Sequence, residues 1–321
     1  MRASGGSSCL IENMSVLSSA WQLDGWRASV VLGGGLYLVF LQLRLSVLRR
    51  HVHREIGPRW LAKFSAACSA AIARYVSGVA VASFGGEGMD WTGTQCIYVW
   101  HPHGFISFTA SMIMGEWAVG GRPHGFPWFG MALPVLFKLP WLGEHFTLAN
   151  GRPVDRASLE RCLDAGMSVA INPGGVKEQS ATRHDQEQAF FSKKMGFVKL
   201  AIKHGIPLMP LYIFGENQMY ERVDGKDWIT RAIRKLTGMT FPVCTGRFGL
   251  LWCFPLPKPT ELHVRWGTAV PVGDPDAAPS DEKVQAVFDA YVAELQAVFD
   301  AHAPTCLPPD VAKRGLKVAI V

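Results

Sequence analysis

Cys96-Ile97-Tyr98-Val99-Trp100-His101-Pro102-His103-Gly104-Phe105 is the stretch that decides how this chain folds. Five apolar residues rich in β-formers run into a proline flanked by two histidines, which reads as a buried strand over 95–100 halted at an imidazole pair. Strand ends are where α/β folds keep their chemistry. Pro102 removes a ladder donor and biases His101 toward an extended backbone, and Gly104 lets the chain turn sharply with room above the second imidazole. That geometry presents His103 to a cleft.

Outward from this strand the pattern alternates. The spacing predicts a helix over 157–165 closed by Gly166 and a strand over 167–172 that runs into the turn Pro173-Gly174-Gly175-Val176-Lys177-Glu178. A helix over 196–204 with Gly205 as its cap precedes a strand over 207–214, which ends at Gly215-Glu216-Asn217. Residues 112–137, rich in Gly, Pro and Trp, are expected to form short helices. A strand over 261–267 and a helix over 281–301 close the pattern. In that helix Val284, Phe288, Tyr291, Leu295 and Phe299 share one face. The fold class is therefore α/β, a central sheet flanked by helices, with three strands ending in glycine-bearing polar turns.

The N-terminal part differs in character. Residues 1–27 are expected to form a disordered tail, rich in Ser and Gly at its start. Residues 28–43 form an apolar run with Trp21 and Trp26 before it and Arg44, Arg49 and Arg50 after it. Such flanks suit a helical membrane anchor, although the run is short of the roughly 20 residues a span needs. A second apolar segment, 64–84, is read as a helix paired with the first or as a core helix. The expected domains are an anchor over 28–84, a catalytic domain over 85–303 and a C-terminal tail over 304–321. Charged residues make up 18% of the chain and hydrophobic ones 49%, which fits contact with a membrane. The net charge of +6 suits nucleic acid, phosphorylated cofactors or anionic lipid equally. Seven cysteines with no C-x-x-C pair argue against both a cysteine zinc site and a disulfide framework.

Three chemistries compete for the histidine pair. A serine-hydrolase elbow, G-x-S-x-G, is missing from the sequence. His101-Pro102-His103 offers two imidazoles to zinc, as a metal-dependent lipid hydrolase would, but Phe105 and Ile106 stand where a further ligand would strengthen that case. No metal is therefore expected. General-base catalysis needs one imidazole beside an acceptor hydroxyl and one carboxylate to fix its tautomer, and Glu178 and Glu216 both follow strand ends. The non-catalytic reading, a membrane coat protein, treats both histidines as structural.

Tyr98-Val99-Trp100-His101-Pro102-His103-Gly104, Pro173-Gly174-Gly175-Val176-Lys177-Glu178, Gly196-Phe197-Val198-Lys199-Leu200-Ala201 and Phe214-Gly215-Glu216-Asn217-Gln218-Met219-Tyr220 together resemble the type-2 diacylglycerol acyltransferase family, which includes monoacylglycerol acyltransferases and wax synthases. The likeness covers roughly 75–301, in the family's order. It departs at Tyr75-Val76-Ser77, where only the tyrosine of a Tyr-Phe-Pro block remains, and over 142–155. The resemblance implies a glycerolipid-acyltransferase-like α/β domain on an N-terminal anchor. It also implies an acyl-CoA-dependent O-acyltransferase of the endoplasmic reticulum membrane that faces the cytosol and needs no cofactor beyond its co-substrate.

Carried onto this chain, His101 and His103 are the active-site histidines, with His103 the base and Glu178 its partner. Gly104, Pro173, Gly174, Gly175, Glu216 and Asn217 are expected around the substrates, backbone N–H groups near the glycines holding the oxyanion. Lys193, Lys194, Lys199 and Lys203 are candidates for the phosphates of CoA or, equally, a solvated helix face. Related glycerophosphate-type enzymes place an arginine after the glycine of the corresponding turn, where it grips a phosphate. This chain has Val176-Lys177-Glu178 there. The expected partners are acyl-CoA, the bilayer and a neutral lipid acceptor, diacylglycerol before monoacylglycerol or a long-chain alcohol, and not nucleic acid.

Overall fold

A computed structural model describes residues 25–86, 94–122 and 127–321, with the side chains of 25–29 and 31 left aside. The expected N-terminal tail lies outside the described residues as far as 24. The chain divides into two compact units, residues 1–50 and 51–321.

In the first unit a single helix, Gly25–Arg50, carries the apolar run. At 1.5 Å per residue its 26 residues reach about 39 Å, and Leu32–Arg50 is apolar enough to cross a bilayer. It ends on Arg49 and Arg50.

The second unit is built on strands β1 (Val79–Gly86), β2 (Ile97–His101), β3 (Phe129–Ala132), β4 (Gly151–Pro153), β5 (Val169–Ile171), β6 (Glu187–Phe191), β7 (Leu208–Phe214), β8 (Glu221–Arg222), β9 (Cys244–Thr245), β10 (Thr260–Trp266) and β11 (Leu316–Ile320). Seven of them form one sheet in the order β1-β10-β7-β2-β5-β3-β4. The run from β7 to β4 is parallel, β10 is antiparallel to β7, and β1 is parallel to β10. Helices cover both faces, so the central strands are apolar throughout rather than alternating with polar residues. Ile97, Val99, Val169 and Leu208 meet the face that carries Val284, Phe288, Tyr291 and Leu295 of helix Asp281–Cys306. Tyr98, Trp100, Met209, Leu211 and Ile213 point the other way, to Trp117, Trp128 and Met114.

Two expected boundaries move. Residues 64–84 are not one helix: Arg59–Ala71 passes into a π-turn, Ile72–Val76, Gly78 turns the chain at φ +70°, and the alternating Val79-Ala80-Val81-Ala82-Ser83-Phe84 becomes β1. The sheet thus begins at Val79, inside the segment expected to be an anchor. Residues 304–321 are not a tail either. The last long helix continues to Cys306, helix Pro309–Arg314 follows, and β11 pairs in parallel with β6. Leu316, Val318 and Ile320 alternate in a run too short to stand out in the sequence.

Candidate active site

The end of β2 separates the two histidines, which an unbroken strand would keep on one face. His101, fifth in the strand, shares the face of Ile97 and Val99 and is fully buried against Phe191, ring centroids 5.2 Å apart. Trp100 faces the opposite way. Beyond Pro102, Gly104 turns the chain with φ +70°, and a Cβ there would lie 2.7 Å from the Glu216 side chain, so only glycine fits. The turn folds the His103 ring onto Trp100, centroids 5.9 Å apart and planes 28° from parallel. His101 therefore points into the core and His103 toward Trp100's side of the sheet.

Glu178 binds these elements together. It stands on helix Gly175–Ala181 rather than on the turn before it, and it is buried. Its carboxylate accepts from His101 Nδ1 at 3.2 Å, from the His103 backbone N–H at 2.6 Å, from the Phe190 N–H at 3.1 Å and from Asn172 Nδ2 at 3.4 Å. A carboxylate only accepts, so His101 carries its proton on Nδ1 and its buried Nε2 has no partner among the described residues. Burial pushes the Glu178 carboxyl up, but the adjacent imidazoles and donated hydrogen bonds outweigh it and hold the group below the ordinary carboxylate range. The expected pairing is thereby corrected: Glu178 orients the imidazole of His101 and only the backbone of His103, because β2 ends at His101 and the turn through Pro102 and Gly104 carries the second ring to the side of Trp100.

The ring of His103 has a different partner. Ser107 Oγ lies 2.8 Å from its Nδ1, and Ser107 itself holds a left-handed backbone at φ 49°. Burial, the largest influence on His103, disfavours the imidazolium and sets its pKa below the ordinary value. Asn172 closes the arrangement: its Nδ2 donates to the Trp100 carbonyl at 2.9 Å and its Oδ1 accepts from Gly175 N at 2.8 Å. Trp100, Ser107 and Asn172 were not among the site residues expected from the sequence. A hydroxyl four residues past His103 and an amide at the end of a strand were the available signals.

His103, Ser107, Asn172 and Gly175 open onto a cavity of about 550 Å3 whose walls are mostly apolar, among them Leu136, Phe146 and Phe241. Among the described residues lining it, His103 is the one titratable side chain. Other expected site residues lie elsewhere. Glu216 is buried behind Gly104, accepts from the N–H and hydroxyl of Thr109, and is pushed up to about 7 by burial. Asn217 donates to Glu187 at 2.8 Å, in a buried group with Tyr212. Neither Glu216 nor Asn217 lines the cavity, because both follow β7 into the packed interior.

Pro173 and Gly174 also lie off the cavity wall, and the Cβ that Gly174 lacks would sit 2.6 Å from Glu178 Cβ. The Gly175 N–H, expected to serve an oxyanion, is already given to Asn172. Lys199 pairs with Asp281 at 3.4 Å and Lys203 with Glu160 at 2.7 Å, while Lys193 and Lys194 are exposed, and none of the four lines the cavity. No group of three His, Cys, Asp or Glu side chains is gathered for a metal ion among the described residues.

These features define a mixed α/β protein in which a buried histidine–glutamate pair supports a second histidine at the wall of an apolar cavity. The diacylglycerol acyltransferase family profile matches residues 90–312, and the chain belongs to that family. It is 30% identical to diacylglycerol O-acyltransferase 2 of Dictyostelium discoideum over 65% of this chain and 66% of that one. It is 33% identical to diacylglycerol O-acyltransferase 2B of Umbelopsis ramanniana over 64% of this chain and 63% of that one. The chain thus spans slightly less than two thirds of these relatives' lengths. The crystal structure of the 1-acyl-sn-glycerophosphate acyltransferase PlsC from Thermotoga maritima aligns over 83% of this chain and 89% of its own, with a TM-score of 0.41 and 16% identity, too distant to carry its site across.

Proposed function

We propose that this protein is an acyl-CoA-dependent O-acyltransferase that esterifies a neutral lipid alcohol, diacylglycerol first, to triacylglycerol. One observation carries the reading: in a chain of the diacylglycerol acyltransferase family, the one titratable side chain among the described residues lining a large apolar cavity is a histidine, and burial lowers its pKa. An apolar cavity suits acyl chains and a lipid acceptor, and a neutral imidazole suits proton abstraction from an alcohol.

His103 takes the hydroxyl proton as the alcohol oxygen attacks the thioester carbonyl. The tetrahedral intermediate collapses with loss of the C–S bond, and the imidazolium returns its proton to the departing CoA thiolate. His101 and Glu178 act behind this step as positioning residues. Helix Gly25–Arg50 serves as the anchor, and the reading places the protein in the endoplasmic reticulum membrane with the sheet unit facing the cytosol. Labelled acyl-CoA supplied to membranes containing the protein, with a panel of acceptors, should yield labelled triacylglycerol. No labelled ester above that of control membranes would refute the assignment.

A further inference from the structure

The mouth of the cavity is apolar on its outer side as well. Trp141, between the lining residues Leu139 and Leu142, is 87% exposed; Leu236, three residues after the lining Ile233, is 86% exposed; and Phe248, shortly before the lining Trp252, is 85% exposed. Trp141, Phe248 and Trp252 hold left-handed backbone at φ 64°, 60° and 44°. They are three of the six non-glycine residues with such backbone among the described residues, so half of this uncommon conformation falls on bulky aromatics that line the cavity or stand within four residues of its lining. A left-handed backbone is unfavourable for a bulky side chain, and exposing an aromatic ring to water brings no compensating burial.

Helix Asp227–Thr237 extends the rim. Ile229 and Ile233 are partly buried, and Trp228, Ala232 and Leu236, four residues apart, carry the apolar side on into solvent. Arg231, Arg234 and Lys235 are exposed on the remaining side. An apolar face with tryptophan and a cationic flank is the pattern of a helix lying in a bilayer interface. A protein partner would not require cations beside the apolar face. Anionic headgroups would meet them directly.

We infer that this rim is a membrane-docking surface of the sheet unit, which sets the mouth of the cavity among the acyl chains of a bilayer containing anionic lipid. The inference rests on the proposed function in one respect: it gives a bilayer-dissolved acceptor a dry route to His103. The occupant is the lipid itself, not a protein.

Full-length protein is reconstituted into phosphatidylcholine vesicles containing phosphatidylserine, and two variants are compared, Phe248→Cys at the rim and Asp224→Cys at an exposed polar site. A charged, membrane-impermeant maleimide should modify the thiol of Phe248→Cys roughly tenfold more slowly than that of Asp224→Cys, each followed on its own peptide by mass spectrometry. Asp224→Cys also corrects for protein facing the vesicle interior. Equal rates would overturn the docking surface whether or not esters form, and a missing ester with a protected Phe248→Cys thiol would overturn the enzymatic reading alone. In the assay, Leu236→Ser with Phe248→Ser should raise KM for vesicle-borne diacylglycerol roughly tenfold at unchanged kcat. An unchanged KM counts against the surface.

Discussion

Burial lowers the pKa of His103 and Ser107 holds its ring, and both effects have measurable consequences. A histidine pKa below its ordinary 6.5 means that the free base persists into mild acid, so kcat/KM should rise with pH and level off with a midpoint under 6.5. A limb centred at 7 or above would contradict His103 as the base. His103→Ala should lower turnover about 100-fold or more while leaving the thermal unfolding of the protein close to wild type. Near-normal turnover in that folded variant would refute its role. Ser107 permits a finer separation, because its backbone is strained and its hydroxyl is bonded to the ring. Ser107→Gly should stabilise the fold by about 1 kcal/mol through relief of the left-handed backbone. The same variant should slow turnover roughly tenfold through loss of the hydrogen bond, and Ser107→Ala should slow it equally. A faster Ser107→Gly enzyme would show that the hydroxyl does nothing for the base.

At the scale of elements, the site depends on the end of β2 being held from two sides. Glu178 receives four donors from His101, His103, Phe190 and Asn172, so Glu178→Gln turns one acceptor into an NH2 group facing N–H donors. The expected outcome is a loss of about 2 kcal/mol or more in stability together with reduced turnover, measured by urea unfolding and initial rates. Because the folded-state pKa of Glu178 is depressed, its contribution is fully present above the unfolded value near 4.5 and fades as pH falls through the lower folded value. The advantage of wild type over Glu178→Gln should therefore shrink in acid below pH 4.5. Glu216 behaves in the opposite sense: raised to about 7, it binds a proton in the fold that the unfolded chain releases from 4.5 upward. Stability should fall as pH rises between those values, and Glu216→Gln should flatten that decline. The strand, its glycine turn and the histidine pair were legible because apolar β-formers, proline and glycine constrain the backbone locally. The partner of each imidazole was not, because it follows from how the chain turns once β2 ends at His101 and from a helix brought up by a crossover about seventy residues later.

At the scale of the whole molecule, the sequence indicated an α/β sheet but not its order, since β3 and β4 are only four and three residues long and β1 and β11 lie in segments whose composition suggested an anchor and a tail. The cavity was not legible for the same reason: it is closed by loops and by helix Asp227–Thr237, whose meeting depends on that order. Once formed, it bears on the class of acceptor that the proposed activity would use, beside the turn at Pro173. No lysine or arginine is among the described residues that line it. Lys177 is exposed, and Arg183 is engaged by Asp185 at 2.9 Å and Asp224 at 3.5 Å. A phosphate brought into this space would leave water without a cation to meet it, at a cost on the order of several kcal/mol. A diacylglycerol hydroxyl arrives with no such charge. At matched concentrations in the same membranes, diacylglycerol should accordingly be esterified at least roughly 100-fold faster than lysophosphatidate or glycerol 3-phosphate, the factor that about 3 kcal/mol implies. Equal or faster use of either phosphate-bearing acceptor would mean that a cation outside the cavity walls reaches the site, and the assignment to neutral acceptors would fall.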